Sequence, residues 1–561
     1  MVSAFTLGFI LLHNTAYMES EVDRSKEAAK QMSEVNKDNI TGKGKVDVNP
    51  NIQETEPEKT DNEQQVGNQF ELKGIKINSE IKIKQKHVQH LIDPYINKKV
   101  GILELRKLAV EIKNFCRHQG YLAAVAYLPE QDSTDGVVQI NIISAKFGQV
   151  KINNESSLAD DILKEVGKII STKKDVTNER IEDVLYRINE IGGVKARGEL
   201  VPNIHTQGID LHINVVNDQK NYGIFYVENY GNKSSGRYRS GLIYDMYNLD
   251  KRGSKLEVSG LISSGDLDNY AIDYSFIVDR RSTSRMGFSF GKTSYYLSKE
   301  FANLRAGGDS TDFKVYGITP IYKTIHNGCD LRYGYKYRKV DKYYGYVKDF
   351  ENFLGISLGG EPKENIHDFS LELVGYKRSL SNSLFNYSAG IYFGNVSSRN
   401  ESAVVKNMAA QTASQFTRSE VKLDYRQLLT PHFEFHTNFK LQNASNNLHD
   451  SEKLQLGGAS GVRGYGDGDA SGDEGYLSTT EFIWHTKVPG LTFSTFFDIG
   501  GCGNKLNHDI QTIRSWGTGL GYSKPNDYFF KFEYARKIGN NENVTNDFTR
   551  NRLWFMAGKI F

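Results

Sequence analysis

From about residue 220 to its end the chain alternates polar and apolar side chains with period two. In 433–442, Phe433, Phe435, Phe439 and Leu441 share one face with Thr437, while Glu434, His436, Asn438, Lys440 and Gln442 share the other. In 528–535, Tyr528, Phe530, Phe532 and Tyr534 oppose Phe529, Lys531, Glu533 and Ala535. Val421, Leu423 and Tyr425 oppose Glu420, Lys422, Asp424 and Arg426, and Leu331, Tyr333, Tyr335 and Tyr337 oppose Arg332, Gly334, Lys336 and Arg338. Period two is the signature of a strand, whose successive side chains point to opposite faces. No helical period interrupts it, so this region is all β.

A soluble sandwich alternates too, so the chemistry of the faces decides between it and a membrane barrel. Apolar faces rich in Tyr and Phe recur strand after strand, more than one sandwich core needs. With 52 Gly, 32 Tyr and 30 Phe against 10 Pro, the composition suits strands that turn aromatics to lipid and polar residues to an aqueous lumen. A net charge of +2 implies no strongly charged partner such as nucleic acid, and no run of 18 apolar residues suggests a membrane-spanning helix. Residues 218–561, at about 20 residues per strand and connection, give about 16 strands, an even number as such barrels require. The last stretch, LWFMAGKIF, reads as a strand with Leu553, Phe555, Ala557 and Phe561 on one face. A terminal Phe561 on it suits barrel closure and recognition by an assembly machinery.

Upstream, 69–145 reads β-α-α-β-β. Its second helix carries Leu105, Leu108, Ile112 and Phe115 on one face and stops at Gly120. The order repeats in 146–217, with Thr177 placed to cap a helix. Before these domains, 1–18 holds the apolar FTLGFILL and reads as an export signal without the usual Lys or Arg. Residues 19–68 read as a helix over 19–38 followed by a polar linker without structure of its own.

Near the end stands GGASGVRGYGDG, residues 457–468. It is not a phosphate loop, because no Lys-Ser or Lys-Thr follows and the next residues form a strand. Within KLQLGGASGVRGY, the residues Lys453, Leu454, Gly457, Gly458, Val462, Arg463, Gly464 and Tyr465 resemble the loop-six motif of the superfamily that includes the barrel-assembly insertases. Gly120, Tyr121, Leu128, Pro129, Gln131 and Gly136 resemble the end of a first POTRA domain. Phe496, Asp498 and Gly500 match that superfamily's F-x-D-x-G wall strand. Over 69–561 the chain resembles the outer-membrane translocators of two-partner secretion, of the haemolysin-activator and filamentous-haemagglutinin-transporter type.

The resemblance implies two tandem POTRA domains in the periplasm and a transmembrane barrel in the outer membrane of a Gram-negative bacterium. It implies export of a large unfolded client, a plug role for 19–38, and a loop six folded inward so that Arg463 meets an acidic wall residue. Asp498 faces the lumen opposite Phe497 and Ile499, and Glu481 faces it opposite Phe482 and Trp484, so these two are the expected partners. The reason stands apart from the family: a glycine-rich loop can approach a wall closely, and a guanidinium can fork onto a carboxylate. The polar lumen, with Glu434, Lys440, Asp424, Arg426 and Arg332, is expected to hydrate a passing chain. An assembly factor of the same superfamily and a diffusion porin are the alternatives, and a soluble sandwich adhesin is a third.

Other chemistry finds no support. Asp467, Asp469, Ser471 and Gly472 open like a calcium loop, but position twelve is Ser478 and no helix follows. His87 and His90 lack a third ligand, and no nucleophile or dinucleotide motif occurs. The three cysteines, Cys116, Cys329 and Cys502, lie too far apart in sequence to read as a disulfide framework. The chain is expected to be a non-enzymatic pore without metal or cofactor, with lipid, the secreted client and the assembly machinery as partners.

Overall fold

The computed structural model describes residues 24, 26–30, 32, 47–49, 69–133, 135–144, 146–168, 170, 175–203, 208–218, 221–279, 283–297, 299–379, 381–506, 510–539 and 549–561. The export-signal reading of 1–18 lies outside them, as does most of 19–68. Residues 44–218 form one compact unit, and the barrel with the N-terminal segment forms the other.

In 69–144 the central strand Val137–Ser144 runs parallel to Gly74–Ser79 and antiparallel to Ala124–Tyr127. Two helices, Gln85–Ile92 and Ile102–His118, accompany this sheet. The longer one begins where the Glu104 carboxylate accepts the Gly101 N–H at 2.8 Å. Its Leu105, Leu108, Ile112 and Cys116 share one apolar core with Val138, Ile140 and Ile142. The chain turns back at Gly136, where φ is +79° and an added Cβ would meet the Glu71 carbonyl at 2.7 Å.

The order then recurs: strand Phe147–Glu155, helices Asp160–Gly167 and Asn178–Asn189, strands Val194–Asn203 and Gly208–Asn217. Thr177 stands at the N-cap of the fourth helix, but its side chain makes no capping hydrogen bond there. Asp47–Asn49, which polar composition assigned to an unstructured linker, instead pairs in parallel with Arg197–Glu199 and extends this second sheet.

Sixteen strands close into one antiparallel barrel, from Asn221–Glu228 to Asn551–Ile560, each paired with its sequence neighbour. This agrees with the strand number read from length. Lengths reach 18 residues in Ala306–Lys323 and Asn327–Tyr344. Outside, Phe288, Phe369, Phe393, Phe482, Phe493 and Phe497 are exposed on the protein surface, as a lipid-facing belt must be. Inside, Glu434, Glu533, Asp498 and Arg239 are almost fully buried.

The seam is short. Ile224–Glu228 pair with Ile560–Met556, and Phe561 adds a further exchange of backbone bonds with Gly223. A Cβ on Gly223 would overlap the Phe561 ring, so only glycine lets that ring cover the strand. Beyond the ladder, the Asn229 amide imitates a backbone unit, donating to the Leu553 carbonyl at 2.9 Å and accepting from Phe555 N–H at 2.8 Å.

Candidate functional site

Between the eleventh strand, Phe433–Ala444, and the twelfth, Glu474–His485, the connection folds inward rather than away from the barrel. Its shape is set locally. The Leu456 carbonyl accepts the Val462 N–H at 2.6 Å, closing a tight turn. Leu454, Leu456 and Val462 pack with Leu477, Cys502 and Ile513 of the wall. Gly464 lies so close to the wall that a Cβ would meet Ser515 Cβ at 2.8 Å and the Lys537 backbone N at 3.1 Å. Tyr465 is fully buried, with the Lys537 ammonium 4.6 Å from its ring centroid. Gly500 lies under Leu456.

These contacts deliver Arg463 to the strands. Its Nη2 donates to Asp498 Oδ1 at 2.7 Å and its Nε to Asp498 Oδ2 at 3.1 Å, a bidentate fork. Its Nη1 donates to Glu481 Oε1 at 2.5 Å and to Glu533 Oε1 at 2.6 Å. Its backbone N–H donates to Asp498 Oδ2 at 3.0 Å, and its carbonyl accepts from Trp554 Nε1 at 2.8 Å. The guanidinium carbon lies 3.3 Å from the Phe496 ring centroid. Ser515 Oγ completes the shell of Asp498 at 2.9 Å.

Arg463 is 3% exposed, and Asp498 and Glu533 are at most 1% exposed. One cation therefore faces three carboxylates away from water, and Lys531 adds a second positive charge 2.9 Å from Glu533. Charges held this dry persist only when paired and hydrogen-bonded, and deleting one partner is strongly destabilising. Glu533, Ser515 and Trp554 were not singled out in the sequence as partners. The only signal was that Glu533 falls on the polar face of its strand.

The described helical residues of the N-terminal segment, Arg24, Lys26–Lys30 and Met32, belong to the same lumen. Ala29 is fully buried against a cluster that includes Ile224, Tyr226, Tyr230 and Met556. Arg24 donates to Gln455 Oε1 at 2.8 Å and to the Gly457 carbonyl at 3.2 Å, and it ion-pairs with Asp467. Lys30 meets Glu257 at 2.8 Å and Lys26 meets Asn269 at 3.0 Å.

Four of the five luminal charges read from sequence are paired. Glu434 accepts from His485 at 2.8 Å, Lys440 meets Glu420 at 2.8 Å, and Asp424 meets His436 at 2.6 Å with Arg426 at 3.6 Å. Arg332 is exposed on the inner face. The calcium-like carboxylates are engaged by protein groups: Asp467 by Arg24, and Asp469 by the Gly466 N–H at 2.6 Å and Arg552 at 3.5 Å. His87 Nδ1 accepts the Lys84 N–H at 3.0 Å, and the His90 ring meets Phe115 edge-on.

The residues singled out near the end of the first small domain act on its backbone. Gln131 accepts from Gln139 N–H at 2.6 Å and donates to the Gln139 carbonyl at 2.8 Å. It thereby ties the segment after Pro129 to the central strand. Gly120 has a φ of +91°, and Tyr121 and Leu128 pack on the domain core.

Residues 70–144 match the POTRA domain, ShlB-type, and residues 363–523 match the haemolysin secretion/activation protein family ShlB/FhaC/HecB. The chain is similar to the heme/hemopexin transporter protein HuxB of Haemophilus influenzae, with 28% identity covering 88% of each chain. The chain is an outer-membrane transporter of the two-partner secretion family. This transporter is also 23% identical to the outer membrane transporter CdiB of Dickeya dadantii, over 83% of this chain and 82% of that one. It shares its fold with the solved CdiB from Escherichia coli, with a TM-score of 0.66, 18% identity, and coverage of 98% and 99% of the two chains. The transporter resides in the outer membrane with its POTRA region in the periplasm, and it exports a secreted protein client.

Proposed function

We propose that the client, a large secreted protein, is received by the periplasmic domains and passes unfolded through the barrel, with the Arg463 clamp fixing loop six during transport. The observation that carries this reading is the clamp itself. A buried guanidinium held by three carboxylates, two of them fully buried, costs much to desolvate and does little for a passive pore, whose loops need no inward anchor. On this reading 146–217 is a second POTRA domain, since it repeats the element order of 69–145. The N-terminal helix, seated on the inner wall through Ala29, Lys26 and Lys30, is a plug that leaves to clear the pore. The aromatic outer belt meets lipid, and the last strand with Phe561 is the part read by the barrel-assembly machinery. The likeness to HuxB, the highest in identity among the named relatives, favours a client concerned with heme or hemopexin.

Arg463→Ala tests it. The variant, destabilised by the carboxylates left without their cation, is expected to insert as a heat-modifiable barrel in reduced amount and to release no client to the medium, read by immunoblot of culture supernatant normalised to inserted barrel. Wild-type release by a correctly inserted variant would remove the clamp from the transport cycle.

A further inference from the structure

Loop six is held at its tip by the wall of strands twelve to sixteen, and its beginning is held elsewhere. Leu448 is buried in an apolar cluster with Val340, Ile366, Val396, Phe416 and Ala444, inward residues of strands seven to eleven. Next to it, His449 Nε2 meets Glu364 Oε2 at 3.2 Å. Asp450 lies 3.6 Å from Lys342, 3.8 Å from Lys406 and 3.7 Å from Lys453. Glu452 lies 3.4 Å from Arg338 and 3.3 Å from Arg418. In a ring of sixteen strands the opposite wall is eight strands away. Trp554 at the tip and Glu364 at the beginning sit on strands sixteen and eight, and Glu533 and Arg338 sit on strands fifteen and seven. Loop six therefore crosses the lumen like a strap fastened on both sides.

The same fastening holds a second element. Lys406 and Asn407, on the helix Glu401–Ala410 of the preceding outer connection, donate to Glu364 at 3.1 and 2.7 Å. Glu364 is fully buried, and His449 is 1% exposed. The two fastenings differ in quality. Arg463 makes a bidentate fork and short bonds to three carboxylates. Asp450 is met by three ammonium groups beyond 3.5 Å, and among the described residues the buried Lys342 Nζ makes no hydrogen bond. An incompletely bonded buried charge gains little from staying in place.

We propose that the Glu364–His449–Asp450 cluster is an exit latch: loop six swings away from strands seven to ten about a fixed Arg463, and this opens the outer mouth of the pore. The proposal rests on the reading of the lumen as the export path. The test uses planar-bilayer recording of the full barrel and POTRA region with 19–38 deleted, so that the latch is the remaining barrier. Asp450→Lys gathers four ammonium groups in one buried site. Its open probability is expected to rise at least roughly fivefold over the deletion parent, the low end for a coupled two-state element. The pair Lys406→Ala and Asn407→Ala, on a surface helix, gives a smaller rise in the same direction and guards against misfolding of the first variant. If both variants open no more often than the parent, the latch is refuted and the pore reading stands. If the parent itself carries no current, the pore reading falls and the latch with it.

Discussion

The strand Val137–Ser144 of the periplasmic domain and the strand Leu491–Gly503 of the barrel share one period and opposite burial. In the first, Val138, Ile140 and Ile142 are at most 2% exposed and their polar neighbours face outward. In the second, Phe493 and Phe497 are each 43% exposed while Asp498 is fully buried. The alternation is the same backbone geometry; the medium outside decides which side is the core. An interior that faces water needs no partner for its charges, but where loop six fills it, a charge without one is costly. Hence the barrel interior carries paired ions where the small domain carries aliphatic carbon.

Three substitutions sharpen this contrast. Ile140→Asp places a lone carboxylate among aliphatic groups and is expected to cost more than about 4 kcal/mol. Limited proteolysis of the full-length protein should then cut within 69–144 while the barrel stays heat-modifiable. Phe497→Arg, near the middle of its strand, is expected to cost about 2–4 kcal/mol in urea unfolding from lipid vesicles, as a cation at the bilayer midplane does. A neutral result would mean that this face does not lie against lipid, and the comparison would break.

The smallest effect concerns Cys116. It lies in the small domain's core, and burial pushes its thiol up to about 11. The folded state then holds the proton that the unfolded chain releases near pH 8.5. This contribution is fully present below about pH 8.5 and is lost as pH rises toward 11. Stability of 69–144 measured against pH should decline across that window in the wild type and less steeply in Cys116→Ala.

Much of the fold could be read from sequence because period two and period 3.6 are local. The strand number followed from length and the outward face from its aromatics. The site was legible in part. Arg463, Asp498 and Glu481 stand on a recognisable loop and on strands twelve and thirteen, whose faces are set by alternation. Glu533 and Trp554 belong to strands fifteen and sixteen, and finding them requires the hydrogen-bond register across the intervening strands, which alternation does not specify. The fastening at Leu448, His449 and Asp450 was illegible for the same reason: NLHD reads as a polar turn until Glu364, some 85 residues earlier, is brought beside it. Asp47–Asn49 shows the reverse failure, since its polar composition conceals a strand formed only because a sheet edge was open to it.

Arg463 draws its partners from five consecutive staves of the barrel: Glu481, Asp498, Ser515 through Asp498, Glu533 and Trp554. A register slip of one residue in any of them would turn that side chain outward and leave the guanidinium short of a neighbour. The tip of loop six is thus a keystone, seated only after those staves have been laid in order, and its seating reports that the ring was assembled correctly.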